Sequence, residues 1–277
     1  MGIFFIGINV DLENLNGFEN RYIFCMWLGI DKLPKDHAAE LFSIVSNTHC
    51  PVVFLNIQSY KKWEHPSAPF HPAFEFLSEV QRTDYLRVYL MHHYGGGYSD
   101  IKFTYLQWDE AFEKLHKSDA WVLGYEIGTT GEFGLSKKWD GTELLANYKK
   151  NYAKFGIGHV AFMFKKKTPL THEMYKKMVD TLDEKFEELR ENPSKIPKDS
   201  KGRSLPDNTI SKYPLDYIEI GPDIFHMTLN NHKDKIIHHE IRPLHVYHFD
   251  LDIPGFAEKK KEYKDNHISI WPFDLDL

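Results

Sequence analysis

Apolar positions fall into short unbroken runs and longer periodic stretches that alternate along the chain. Residues 21–28, RYIFCMWL, and 51–55, PVVFL, are compact apolar runs rich in β-formers, and they read as buried strands. Between them, 36–46 places Ala38, Leu41, Phe42 and Val45 at helical spacing. Strand, helix, strand in that order predicts parallel pairing through a right-handed crossover. A proline-rich loop around His65, Pro66, Pro69 and Pro72 follows. The strongest helical stretch is 73–94, apolar on most sides and ended by Gly95 in the position that favours left-handed backbone. Beyond it the pattern predicts a strand over 98–104, a helix over 108–116, and strands over 120–125 and 158–164. A long amphipathic helix is predicted over 170–190, then a short helix and strands within 216–229 and 235–249. Residues 192–214 carry Pro, Ser, Lys, Asp and Gly without periodicity, and read as a mobile loop, either a lid or a plain insertion. One α/β domain accounts for all of these elements.

Composition narrows the function classes. The 277 residues carry a formal charge of −6, which gives no support to a nucleic-acid binder. Aromatics make up 15% of the chain, enough for stacking surfaces as well as a core. Cys25 and Cys50 lie in apolar surroundings and read as buried thiols on neighbouring strands. The first residues, MGIFFIGINV, lack a basic region and a cleavage site, and no stretch is long and apolar enough to span a bilayer. A cytoplasmic protein is the expectation.

Chemistry concentrates in RTDYLRVYLMHHYGGGYSDIKF, residues 82–103. Asp84 and Arg87 are three apart and share one helix face. On so apolar a helix an acid and a guanidinium must pair or meet a ligand. Arg87 offers a planar fork suited to phosphate or carboxylate. Gly95, Gly96 and Gly97 permit close approach of backbone to backbone or ligand. On the predicted strand, Tyr98, Asp100 and Lys102 alternate and point to one side. A carboxylate at a strand end beside a glycine turn is where α/β sheets bind ligands. A purely structural Asp84–Arg87 ion pair is the competing reading. His92 and His93 read as helix-end residues whose imidazolium would suit the dipole.

These residues resemble the sugar-binding region of DxD-type glycosyltransferases of the capsular-polysaccharide and mannosyltransferase-like group. That pattern runs roughly Ser-Asp-x-x-Arg, an apolar helix, then Tyr-Gly-Gly-x-Tyr-x-Asp-x-Asp. Here it reads Thr83-Asp84-Tyr85-Leu86-Arg87 and Tyr94-Gly95-Gly96-Gly97-Tyr98-Ser99-Asp100-Ile101-Lys102. CMWLGIDKLP, residues 25–34, resembles the family's first strand, where a Trp lies near the base. Ile220-Gly221-Pro222-Asp223 is similar to a Gly-Pro turn, and His267-Ile268-Ser269-Ile270-Trp271 loosely to a terminal motif. The resemblance implies a GT-A-like fold, a Rossmann-type mixed sheet flanked by helices, with the nucleotide-sugar half at 20–125 and the acceptor half at 126–277. It implies a glycosyltransferase that moves one sugar from a UDP- or GDP-sugar to a glycan hydroxyl. Trp27 would stack on the base, with Gly29, Asp84, Arg87, Gly96, Gly97, Tyr98 and Asp100 around the rest of the donor.

Lys102 stands where the pattern has its second Asp. An ammonium cannot ligate a cation, so a Mn²⁺ or Mg²⁺ site would be weakened, and metal independence is open. Asp100 with His267 or His248 is the remaining candidate metal set. Lys102 could instead face the leaving diphosphate directly. For a general base, Glu126, Asp140, Asp207 and Asp216 are the available carboxylates, with Asp207 and Asp216 the first candidates. His238, His239, Glu240 and His245 do not keep the spacing of a zinc hydrolase motif, and Pro243 interrupts any helix there. A non-catalytic nucleotide-sugar or glycan-binding module is the rival reading.

Overall fold

A computed structural model describes residues 20–29, 32–127, 142, 146, 150, 151 and 154–243. Six strands form one mixed sheet in the order β2-β1-β3-β5-β4-β6. They are β1 (Ile23–Trp27), β2 (Val52–Asn56), β3 (Gly96–Ser99), β4 (Val122–Glu126), β5 (Ile157–Phe164) and β6 (Ile236–His238). The helices are α1 (Lys35–Asn47), α2 (Glu79–His93), α3 (Asp109–Lys117), α4 (Pro169–Glu191) and α5 (Pro222–Asn231). The chain is thus an α/β domain with helices on both sheet faces. Among the described residues, no helix is long and apolar enough to cross a membrane.

β1 pairs in parallel with both β2 and β3. Ile23, Phe24, Cys25 and Met26 are all buried, as an internal parallel strand covered on two faces requires. α1 lays Leu41, Ile44 and Val45 on one face, in a core with Trp108, Phe112 and Leu115 of the α3 region. α2 lies on the opposite face, with Tyr85, Leu86 and Tyr89 packed among residues of α4 and α5. Both thiols are buried and free, Cys25 within β1 and Cys50 just before β2.

The helix expected over 73–94 is two pieces. Pro72–Phe76 is a 3₁₀ turn, and α2 begins after Ser78, whose side chain accepts from the Gln81 N–H. Ser78 is extended, and its hydroxyl satisfies a donor that would otherwise be orphaned, so the cap overrides the periodicity upstream. His92 and His93 do end α2, but not as imidazolium: burial pushes both down to about 4, helped by neighbouring histidines and Lys167. The 192–214 segment has no helix or named strand. It is nevertheless pinned at its base, with Ser194 N–H on the Phe76 carbonyl and Val80 N–H on the Pro197 carbonyl. Asp199 is wholly buried and accepts from the Lys195 and Ser200 N–H groups.

Candidate functional site

β3 is shorter than the predicted 98–104 strand and ends at Ser99. Asp100 N–H still bonds the Val160 carbonyl at 2.7 Å, then the chain turns toward α1, where Thr104 N–H meets Ser43 Oγ at 3.0 Å. Tyr98, Asp100 and Lys102 therefore do not alternate along one strand. Tyr98 and Asp100 converge nonetheless, because the Tyr98 hydroxyl donates to Asp100 Oδ1 at 2.5 Å.

Arg87 gathers the cluster. Its Nη2 donates to the Tyr98 hydroxyl at 2.8 Å and to Asp100 Oδ1 at 3.1 Å. Its Nη1 lies 3.4 Å from Asp84 Oδ1 and donates to the His159 carbonyl at 3.3 Å. The guanidinium also covers the Tyr98 ring, 4.3 Å from its centroid. One side chain from α2 thus ties together β3 and β5. The wall behind it is apolar, with Val88, Met91, Phe162 and Phe225 lining a small cleft between α2, β5 and α5. In such a place charge must be compensated locally.

Electrostatics follow from that burial. Desolvation pushes the Asp84 carboxyl up to about 6; Asp100 adds to the rise, and Arg87 opposes it without winning. Burial disfavours the Arg87 cation, but Tyr98, Asp100 and Asp84 more than offset it and hold Arg87 charged. The Tyr98 phenol is raised by burial, with Asp100 adding and Arg87 opposing. The side chains of Asp84 and Arg87 are 5% and 13% exposed, whereas Asp100 is 26% exposed and is the member that faces outward.

Gly221 closes the cluster from the far side. A Cβ there would lie 2.4 Å from Asp84 Cγ, so the start of α5 sits directly on the carboxyl. Tyr217, four residues before Gly221, is 39% exposed. Burial raises its phenol, and it senses Asp84, Arg203, Arg87 and Asp100 together. Sequence reading passed over Tyr217 and the His159 carbonyl. The only signal nearby was the Gly221-Pro222 turn, since a backbone acceptor and an isolated Tyr carry no pattern.

The remaining sequence-predicted residues divide. Trp27 ends β1, partly buried, with its ring 5.2 Å from that of His37. Gly29 lies beside it, where a Cβ would approach Trp27 Nε1 to 3.3 Å. Gly96 has left-handed backbone, with φ of +88°, and a Cβ there would also meet the Tyr22 ring at 2.8 Å; one at Gly97 would meet Trp108 at 3.0 Å. Asp207 is exposed and accepts from the Thr209 N–H and hydroxyl, which hold its carboxyl below its ordinary value. Asp216 is half-buried next to Tyr217, its N–H on Glu219 Oε2 and its carbonyl on Gln81 Nε2. Glu126 is exposed at the end of β4, 4.0 Å from His238 Nδ1. Lys102 is half-buried. Asp140, His248 and His267 lie outside the described residues, as does the 267–271 motif.

Topology fixes where the cluster sits. The β1-to-β2 connection passes through α1 on one face, and the β2-to-β3 connection returns across β1 through α2 on the other. Strand order therefore reverses at β1, and the carboxyl ends of β1 and β3 flank the kind of place where open α/β sheets bind ligands. Trp27 closes β1, and Asp100 follows β3 directly. Burial holds the Cys25 thiol of β1 above its ordinary value, and the Asp100 carboxylate adds to the rise.

No protein-family model matches the chain, and no curated protein matches it in sequence. Among solved structures, one titled PaToxG Glycosyltransferase is similar over 90% of this chain and 74% of its own, with a TM-score of 0.39 and 10% identity.

Proposed function

We propose that this chain transfers a single sugar from a nucleoside diphosphate sugar, a UDP- or GDP-sugar, to a hydroxyl of a glycan. The observation that carries the reading is the Asp84–Arg87–Tyr98–Asp100 cluster beside the point where strand order reverses. Trp27, at the other lip, is the candidate stacking surface for the base. Asp100, outermost of the cluster, is the acceptor for donor hydroxyls, and Asp84 and Arg87 fix it. In transfer the anomeric C–O bond breaks and its electron pair stays on the diphosphate. The acceptor oxygen forms the new bond, and its proton leaves to a base. Glu126 is exposed at the end of β4, on the sheet edge where β1 and β3 also end, and is favoured as that base over Asp207, whose carboxylate is used by its own turn.

One observation favours the rival reading of a binding module: both Arg87 Nη groups are already engaged within the protein, as in a structural network. Incubation with UDP- and GDP-sugars separates the two. A transferase shows thermal stabilisation by its donor and slow release of free sugar, water serving as acceptor. Stabilisation without release identifies the binding module, and neither effect with any nucleotide sugar refutes both.

A further inference from the structure

Charge is spread unevenly along the chain. Residues 195–212 carry five cations, Lys195, Lys198, Lys201, Arg203 and Lys212, and two acids, Asp199 and Asp207, in a chain whose formal charge is −6. All five cations are exposed. Both acids have other partners: Asp199 is buried and accepts from the Lys195 and Ser200 N–H groups, and Asp207 accepts from Thr209. On α4, by contrast, lysines meet acids about one turn away, Lys176 with Asp180, Lys177 with Glu173 and Lys185 with Glu188.

The basic stretch has a defined shape. Ser204 and Ile210 form an antiparallel bridge, with Leu205 N–H on the Thr209 carbonyl and Ser211 N–H on the Arg203 carbonyl, each at 2.8 Å. Arg203 Nη1 donates to the Lys198 carbonyl at 2.7 Å, which sets those two residues side by side. From Ile210 to Tyr213 the side chains run exposed, buried, exposed, buried, so Ile210 and Lys212 face outward together. At 61% exposed, Ile210 is the most exposed large apolar side chain among the described residues. The Tyr213 hydroxyl donates to Gln81 Oε1, and Gln81 Nε2 donates to the Asp216 carbonyl at 2.9 Å. The loop is thereby strapped to the first turn of α2, one turn before Asp84.

A soluble polyanion would answer the cations and leave Ile210 in water. An anionic bilayer answers both features, since its headgroups attract the cations and its acyl boundary takes the apolar side chain. Recognition of such a surface uses clusters of roughly four to eight Lys or Arg. We infer that residues 195–212 dock on an anionic phospholipid surface, with Ile210 entering the headgroup boundary and the five cations facing the lipid anions. Docking needs no nucleotide, so it stands apart from the sugar-nucleotide reading.

The test uses the whole chain in sedimentation with vesicles of phosphatidylcholine, alone or mixed with phosphatidylserine. Binding is expected to the mixed vesicles only, and it should weaken as salt is raised. Lys198→Gln, Lys201→Gln and Lys212→Gln together should weaken it about a hundredfold, at about fivefold for each cation near the surface, and Arg at the same three positions should keep it. Ile210→Ser should weaken it about tenfold or more, the worth of one buried aliphatic side chain. Circular dichroism and a thermal melt check that each variant is folded. No binding to the mixed vesicles, equal binding to both kinds, or undiminished binding by the folded Gln variant overturns the inference. Undiminished binding by Ile210→Ser shows attraction without insertion and overturns it too, as does binding to heparin with none to the vesicles.

Discussion

Asp84 shows how much one buried carboxyl can decide. Its folded value of about 6 lies above that of an unfolded Asp, about 3.9, because burial outweighs the nearby guanidinium. The folded state therefore holds this proton more tightly. Its contribution to stability is whole below about pH 4 and is lost as pH rises through about 6, a change on the order of 3 kcal/mol. Asp84→Asn removes the titration. Urea unfolding of both proteins from about pH 4 to 7 should show the wild type losing stability relative to the variant, and a constant difference would contradict this environment for Asp84. Gly221 is the complementary case. Its φ of −110° lies outside the left-handed region, and a side chain there would first meet the Asp84 carboxyl. Gly221→Ala would drive a methyl into the Asp84 carboxyl, at a cost of about 1–3 kcal/mol as in other overpacked sites. A denaturation midpoint equal to wild type would show that α5 does not rest on Asp84.

At the scale of elements, α2 carries both the site and a titratable end. Its last turn places His92 against the Tyr175 ring at 4.9 Å and His93 against His65 at 5.0 Å. Burial lowers both imidazoles to about 4, below their unfolded values near 6.5. Their contribution is present above about pH 6.5 and is lost as pH falls through about 4, opposite in sign to that of Asp84. His92→Gln combined with His93→Gln should therefore blunt the loss of stability on acidification. Thermal melts across that range check it, and an unchanged pH profile would disprove it. The dipole argument that places charged imidazoles at a helix end fails here because α4 covers the end, and desolvation exceeds what a helix terminus returns. The unpatterned 192–214 stretch differs in another way. Composition foretold its irregularity, but the buried Asp199 that organises its base is an acid that composition alone places in solvent.

For the whole molecule, the proposed function turns on the place where the carboxyl ends of β1 and β3 meet. If Trp27 forms its base-binding lip, Trp27→Ala should weaken nucleotide binding by about 1–3 kcal/mol, the range for stacking on aromatic side chains. Calorimetry with UDP and GDP measures this, and unchanged affinity in a folded variant removes Trp27 from the site. Local pattern determined much of this protein. The apolar runs of β1 and β2 mark buried strands, and the periodicity of α1 and α4 marks helices, because burial repeats with the geometry of each element. The i, i+3 spacing of Asp84 and Arg87 placed them on one face before any coordinates. What the chain could not reveal was where β3 stops. Thr104 N–H finds Ser43 Oγ, a partner 61 residues away, and that bond draws Lys102 off the strand. Nor could it reveal that a side chain at Gly96 or Gly97 would run into Tyr22 or Trp108. Nor could it show that the Arg87 fork is shared among Asp84, Tyr98, Asp100 and the His159 carbonyl. Those outcomes depend on contacts between segments far apart in sequence, and only the packed sheet brings such segments within hydrogen-bonding distance.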